Sequence, residues 1–324
     1  MIDEQRLQKF FALRPAIKDV LKWRSAGPVR DAVALAALDL DGAPEEIAAR
    51  LREPADILKQ NHSKLQLLRQ PVRYAIAAVL LRQNIDPLLL TQSIADSRER
   101  WKQVGLRRGA PYEGASHLIL HLGTDGSEQL PFLNALKNAF DDLNRRRWWH
   151  VGARTLPPLA LALQYRSDAA SAADQMYGAM EEEKGLHGRH TMEAALMATL
   201  SPGYPAETAR QIAALRGALK DRKIPDAPAN ITGLAFANLT DPDPNDFADA
   251  VQAMRERFKQ EKFGSTNRAL LALDYVTAER FRTSGLPQAK IAPILMAVQA
   301  YQLVLQQQAA MVAVIAGSAA TTAN

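Results

Sequence analysis

The densest group of chemically capable residues lies in the segment NRRRWWHVGAR. In this segment three arginines are followed directly by two tryptophans: Arg145, Arg146, Arg147, Trp148 and Trp149. Arginine beside aromatic rings can bind phosphates and stack on nucleic-acid bases. The structural alternative is that one tryptophan packs between helices while the arginines extend from a helix end. The sequence leaves both interpretations open.

Charged residues are distributed unevenly around the amphipathic segments, with acids before them and bases after them. This pattern complements the helix macrodipole, at about 0.3 to 1 kcal/mol for each charge. It also predicts a basic edge that binds phosphate or an acidic protein, because the net charge of the chain is +5. The predicted anionic-partner site consists of Arg107, Arg108, Arg145, Arg146, Arg147, Trp148, Trp149, Lys184 and Lys262.

Four histidines, His117, His121, His187 and His190, are weak candidates for metal ligands. His117 and His121 are one helical turn apart, a spacing at which two histidines can share a metal ion. However, this pair lacks the intervening glutamate of a His-Glu-x-x-His helix, and the chain contains no cysteine. The absence of cysteine excludes disulfides, thiolate zinc sites and cysteine nucleophiles. We therefore predict no metal, no cofactor and no catalytic residue.

A short apolar segment rich in alanine and leucine recurs along the chain, at intervals of roughly 34 to 43 residues. Its copies are VRDAVALAAL, VRYAIAAVLL, EGASHLILHL, TLPPLALAL, TMEAALMATL, NITGLAFANL and NRALLALDYV. Most copies lead through a turn rich in Asp, Pro, Gly or Ser into an amphipathic segment with apolar residues at helical spacing. We expect the small residues Ala77, Ala160, Ala195 and Ala272 of these copies to be buried.

These periodicities predict an all-α protein, an α-solenoid of about six two-helix repeats of roughly 40 residues, HEAT-like or nonstandard. Residues 1–28 are the predicted N-terminal capping helix, and residues 29–290 are the predicted repeat array. From residue 291 onward the chain contains no charged side chain. We expect residues 291–316 to form a capping or partner helix and residues 317–324 to form a disordered tail.

Three longer segments resemble a known bacterial family: VGLRRGAPYEGASHLIL, FGSTNRALLALDYVTAERF and the terminal QQQAAMVAVIAGSAATTAN. Together with the run of repeats, they are similar to the bacterial domain-of-unknown-function family 4003, whose members are all-helical repeat proteins. The resemblance covers nearly the whole chain. It implies a helical repeat fold and a bacterial origin, and it brings no activity and no catalytic residues.

The sequence favours a noncatalytic scaffold that binds a protein or peptide, because helical arrays present long surfaces lined by successive helices. One alternative is a nucleic-acid binder that uses the basic edge, and another is a helical-repeat enzyme with a histidine-based site. The amphipathic N-terminal segment predicts a cytoplasmic protein, not a secreted one. The apolar C-terminal stretch is interrupted by glutamines, which argues against a membrane anchor and leaves self-association as a further role.

Overall fold

The computed structural model describes residues 3–21, 27–61, 73–106, 112–123, 129–188, 190–225, 230–263 and 268–284. Within these ranges every regular element is helical, which confirms the prediction of an all-α protein. The α-helices are α1 (Glu4–Leu21), α2 (Gly27–Ala36), α3 (Pro44–Arg50), α4 (Arg52–Asn61), α5 (Arg73–Gln83), α6 (Pro87–Gln103), α7 (Tyr112–Gly123), α8 (Gln129–Arg147), α9 (Leu156–Tyr165), α10 (Ala169–Glu182), α11 (Thr191–Ala198), α12 (Pro205–Asp221), α13 (Asn230–Ala237), α14 (Pro244–Gln260) and α15 (Arg268–Thr283). Short 3-10 helices span Ala153–Thr155 and Asn238–Thr240.

The described chain divides into two compact units, one holding Asp3–Gln92 and the other beginning at Ser93. The boundary falls inside α6 and within the predicted repeat array. The predicted C-terminal helix, 291–316, and the predicted tail, 317–324, lie outside the described residues. Among the helices of the described ranges, none combines the length and the apolar character needed to cross a membrane.

In the N-terminal unit, α1 packs against α2 and α3, α2 packs against α5, and α4 packs against α5. Phe10 and Ile17 of α1 are fully buried, as the apolar stripe of this helix predicts, whereas Phe11 is half-buried. The side chain of Leu21, the fourth predicted member of the stripe, lies outside the described residues. The apolar stripe therefore fixes which face of α1 covers its neighbours.

In the unit that begins at Ser93, the helices pack in two rows. The first row runs α7, α9, α11, α13 and α15, and each of these helices packs against the next. The second row runs α8, α10, α12 and α14 in the same way. Pairs such as α8 with α9, α10 with α11 and α14 with α15 join the two rows. The helices from α8 to α15 thus contact neighbours in their own row and in the other.

The helices of the alanine-rich copies are covered on nearly all sides. Ala77, Ala160, Ala195 and Ala272 each have 0% of their surface exposed, which confirms the prediction for all four. Because alanine has a short side chain, it allows neighbouring helix backbones to approach closely at these positions. Enlarging such a residue in a well-packed interior costs about 1 to 3 kcal/mol.

The helices of the second row are amphipathic and bury one face. In α8, Leu136 and Leu143 are fully buried, while Phe132 and Phe140 of the same predicted face are half-buried. The start of α14 shows how local chemistry sets a boundary, because the carboxylate of Asp243 accepts hydrogen bonds from two backbone N–H groups of the first turn at 2.9 Å. This cap satisfies two backbone N–H groups that the helix itself cannot pair at the start of α14.

An ion pair of the same kind joins successive helices of the second row at two places. Arg147 at the end of α8 donates to Asp174 in α10 at 2.7 Å, and Arg222 after α12 donates to Asp249 in α14 at 2.5 Å. In both pairs the partners are 27 residues apart. The two ion pairs thus have the same spacing in sequence and join the same kind of helix neighbours.

Candidate functional site

The C-terminal end of α8 brings together most of the residues that the sequence singles out. Leu136 and Leu143 anchor the buried face of α8, and the last turn then carries Arg145, Arg146 and Arg147 at the surface. Basic side chains at this end complement the partial negative charge of the helix terminus. We call the region formed by these three arginines and the two tryptophans after them the α8 corner.

Arg147 is fastened to the neighbouring helix α10. Its Nε donates to Asp174 at 2.7 Å, and its Nη1 donates to Glu181 at 3.0 Å. The guanidinium also lies 4.8 Å from the centre of the Tyr177 ring, a cation–π distance. The hydrogen bond to Asp174, with the nearby carboxylate charges, raises the pKa of Arg147 above its ordinary value. Arg147 therefore holds the corner in place.

Arg145 and Arg146 point toward solvent and share one carboxylate. Arg145 donates to Asp142 at 3.3 Å, and Arg146 donates to the same side chain at 3.0 Å. Arg146 also lies 3.6 Å from Asp174. The hydrogen bond to Asp142 raises the pKa of Arg146. The side chain of Arg145 is 76% exposed and that of Arg146 is 43% exposed, so both remain reachable by a partner.

Trp148 and Trp149 are both exposed, at 59% and 75% of their surface. Their ring centres lie 3.6 Å apart with an angle of 31° between the planes, so the two rings pack on each other at the surface. The interpretation that one of them packs inside the fold is therefore wrong. The chain turns back at this point through a hydrogen bond from the His150 N–H to the Arg147 carbonyl, 2.8 Å long. That turn presents both rings.

The remaining residues of the predicted anionic-partner site are placed separately along the chain. Lys184 is exposed in the turn after α10, and Lys262 is exposed in the turn after α14 with a φ of 57°. Arg107 and Arg108 lie outside the described residues. The α8 corner thus contains the five predicted residues from Arg145 to Trp149, and the two lysines belong to later turns.

His117 belongs to a buried polar cluster that the sequence did not predict. Ser97 and His117 share a hydrogen bond of 2.6 Å between Oγ and Nδ1. On the other side of the ring, Nε2 lies 3.6 Å from a carboxylate oxygen of Glu113, which accepts a 2.7 Å hydrogen bond from Arg98. Ser97, His117 and Glu113 are each at most 4% exposed. The cluster joins α6 to α7 within one unit.

Burial and charge act differently on the two titratable members of this cluster. Burial lowers the pKa of His117 below its ordinary value, although the Glu113 carboxylate opposes this effect. For Glu113, burial favours the protonated acid, but the nearby His117 ring and the hydrogen bond and charge of Arg98 outweigh it and lower the pKa to about 2. The stable arrangement at neutral pH is a neutral imidazole beside an ionised carboxylate.

Two further buried ion pairs resemble the Glu113–Arg98 pair, which indicates a structural role for the cluster. Asp31 in α2 is paired with Arg14, and Glu193 in α11 is paired with Arg154. Like Glu113 in α7, both carboxylates lie in the first half of an alanine-rich helix and are at most 5% exposed. Carboxylates near a helix N-terminus are favoured by its dipole, and arginine compensates their burial.

The other candidate metal ligands do not join His117 in a shared site. Burial lowers the pKa of His121, which is half-buried in the next turn of α7. His187 is exposed, and His190 is half-buried immediately before α11. Across the described ranges there is no group of three or more metal-ligating side chains. A histidine-based metal site therefore gains no support from the described geometry.

A surface groove of 360 Å³ lies between the turn before α10 and the turn before α12. Its lining includes Arg166, Gln175, Met176 and Tyr204. Arg166 donates to both carboxylate oxygens of Asp168, at 2.7 and 2.9 Å, and to the Thr199 carbonyl at 3.2 Å. Through these hydrogen bonds, Arg166 links the turn before α10 to the turn after α11. Tyr204 is 78% exposed, and it is a useful comparison for the tryptophans of the corner.

Known proteins provide no match for this chain or its fold. No family model matches the chain, and neither a curated protein nor a solved structure matches it. The resemblance to the domain-of-unknown-function family 4003 therefore stays a hypothesis.

Proposed function

We propose that this chain is an α-solenoid scaffold in the cytoplasm that binds a protein partner through the α8 corner. The solenoid is supported by the two rows of helices in the unit that begins at Ser93. It is also supported by the two ion pairs between successive helices of the second row, whose partners are 27 residues apart in both cases. Repeat arrays of this kind expose extended surfaces made by successive units. The α8 corner is the feature of that surface with the strongest binding chemistry.

The observation that carries the proposal is the exposure of Trp148 and Trp149, whose tilted rings pack on each other. Burying aromatic surface is favourable, at about 25 cal/mol for each Å² of apolar area removed from water. Tryptophan and arginine are also the residues most enriched among those that dominate the energy of protein interfaces. Two rigid tryptophan rings beside two exposed arginines fit such an interface.

A protein partner is favoured over a nucleic acid because the arginines of the corner are already paired. Asp142, Asp174 and Glu181 supply three carboxylates to Arg145, Arg146 and Arg147. Binding of nucleic acid depends on the neutralisation of several successive phosphates, whereas the paired corner leaves N–H groups of Arg145 and Arg146 at the surface, which suffice for one or two carboxylates of a protein partner. An enzyme centred on His117 is disfavoured because that ring is only 1% exposed.

The proposal is tested by capture from native cell extract on immobilised full-length protein. We expect specific partners on the wild type that are lost from Trp148→Ser/Trp149→Ser and retained by the matched control Tyr204→Ser. Treatment of the extract with nuclease separates direct protein partners from nucleic-acid bridging. Retention of every partner by the double tryptophan variant would refute the role of the corner. Loss of every partner on nuclease treatment would favour the nucleic-acid alternative.

A further inference from the structure

Charge at the α8 corner is divided between an anchored side and an open side. On the anchored side, Arg147 forms ion pairs with two carboxylates, Asp174 at 2.7 Å and Glu181 at 3.0 Å. Arg145 and Arg146 instead share Asp142, at 3.3 and 3.0 Å. The three arginines face three carboxylates, two of which belong to α10, and one of these two, Asp174, also lies 3.6 Å from Arg146. Arg145 on the outer side is therefore the arginine least engaged by carboxylate.

Exposure follows the same division. The side chain of Asp142 is 31% exposed, less than either Arg145 at 76% or Arg146 at 43%. The most exposed charged group of the corner is therefore the guanidinium of Arg145, since Glu181 at 40% is about as exposed as Arg146. A guanidinium has five N–H donors, and the hydrogen bond of Arg145 to Asp142 is long at 3.3 Å. N–H groups of Arg145 thus face solvent beside the tryptophan pair.

We propose that the partner presents an acidic segment whose carboxylates bind Arg145 and Arg146 and whose apolar side chain packs on Trp148 and Trp149. This inference rests on the proposed function and specifies the chemistry of the partner. Carboxylate matches guanidinium geometry through two parallel hydrogen bonds. The tryptophan rings supply the apolar contact that gives such a segment its affinity, while the arginines select for acidic character.

The probe is a fluorescein-labelled peptide of 12 residues that alternates glutamate with leucine and phenylalanine. Its matched control replaces every glutamate by glutamine, and a single-stranded DNA of 12 nucleotides serves as an anion of different chemistry. Fluorescence anisotropy is measured on the full-length protein at low and moderate salt. Exposed ion pairs contribute about 0.2 to 1 kcal/mol each, so we expect the acidic peptide to bind about 2- to 30-fold more tightly than the glutamine peptide.

Two variants separate the apolar and the charged contributions. Trp148→Ala/Trp149→Ala should weaken binding of the acidic peptide by at least about 30-fold, the loss typical of an interface hot spot. Arg145→Gln/Arg146→Gln should abolish the preference for glutamate over glutamine and leave the binding of the glutamine peptide unchanged. Tyr204→Ala and Arg210→Gln, an exposed aromatic and an exposed arginine elsewhere, are the matched controls and should bind as the wild type does. Circular dichroism verifies that each variant is folded.

Several results would overturn the acidic-segment inference. Equal affinity for the glutamate and glutamine peptides would show that the corner does not select charge, although capture through the tryptophans would still support the proposed function. Absence of peptide binding at about 1 mM would reject the acidic segment in the same way. Tryptophan-dependent binding of the DNA, with a steep loss of affinity at higher salt, would assign the corner to nucleic acid and refute both proposals.

Discussion

The α8 corner and the Ser97–His117 cluster use similar residue types at opposite degrees of exposure. Each combines arginine, carboxylate, histidine and tryptophan, since Trp101 packs 4.9 Å from the His117 ring and His150 lies 5.1 Å from Tyr177 beside the corner. Trp101 is fully buried, whereas Trp148 and Trp149 are exposed. In the cluster every group is bound to another part of the fold. In the corner, Arg147 is paired with two carboxylates of α10 and Arg146 with one, whereas Arg145 is paired with Asp142 of its own helix and the tryptophans are exposed.

The difference shows that residue type alone does not distinguish a structural site from a binding site. A buried ion pair that loses one partner leaves an uncompensated charge, so its members are bound to one another by large energies. Exposed pairs are screened by water and contribute little. A binding site needs groups that can change partner at low cost, and the open side of the corner meets that condition.

The largest effect should follow the removal of the carboxylate from the buried cluster. In Glu113→Ala, Arg98 loses its 2.7 Å partner, and its side chain is only 17% exposed. We expect the free energy of unfolding to fall by about 3 kcal/mol, as for other broken buried pairs. Urea unfolding followed by circular dichroism measures it. A loss below about 1 kcal/mol, the size typical of exposed ion pairs, would mean that the cluster behaves like a surface pair.

An effect of intermediate size should come from the titration of the same cluster, which makes the free energy of unfolding depend on pH. Because the pKa of folded His117 is lowered, the unfolded chain binds more protons below pH 6.5, and stability falls as the pH decreases from there. Glu113, with a folded pKa of about 2, stabilises the fold above pH 4.5 and loses this contribution as the pH falls from 4.5 toward 2. Each proton accounts for a slope of up to about 1.4 kcal/mol per pH unit.

Urea unfolding at a series of pH values from neutral to acidic tests this dependence. His117→Asn should reduce the slope below pH 6.5, and Glu113→Gln should reduce the slope below pH 4.5. His121, whose pKa burial also lowers, contributes to the upper window, so His121→Asn is measured in parallel. Unchanged slopes in the His117 and Glu113 variants would show that the cluster does not control acid stability.

The smallest effect on stability should come from the tryptophan pair. In Trp148→Phe/Trp149→Phe the aromatic rings can still pack on each other, and we expect the free energy of unfolding to change by no more than about 0.5 kcal/mol. In a Trp23→Phe background, where Trp101 is the one tryptophan left, quenching of tryptophan fluorescence by acrylamide should fall sharply, because Trp101 is fully buried. Little change in quenching, or a large loss of stability, would mean that the pair is buried in solution and would remove the basis of the proposed function.

The sequence predicts the helices and their buried faces well, because both depend on local periodicity. The burial of Ala160 and Ala195 follows from the recurring apolar segment, and the position of Arg147 at a helix end follows from the amphipathic pattern. The family resemblance and the solenoid arrangement stay hypotheses, since no comparison tests the first and the solenoid is supported only by the packing of rows.

The polar contacts could not be predicted from the sequence, because their partners are distant from each other along the chain. Ser97 and His117 are 20 residues apart on different helices, and Arg147 and Asp174 are 27 apart. Local spacing does not specify which polar side chains contact each other across such distances. The exposure of both tryptophans was also unpredictable, since an aromatic residue after a helix end is compatible with either packing inward or facing solvent.

The two ion pairs that tie α8 to α10 and α12 to α14 have a consequence for how the chain opens. Each pair joins a helix end to the following helix of the same row, so fraying of α10 releases Arg147 and loosens the end of α8. Local opening should therefore spread in groups of helices, with amide protons of linked helices exchanging together. The turn that carries the tryptophans then keeps its shape for as long as its neighbour stays folded.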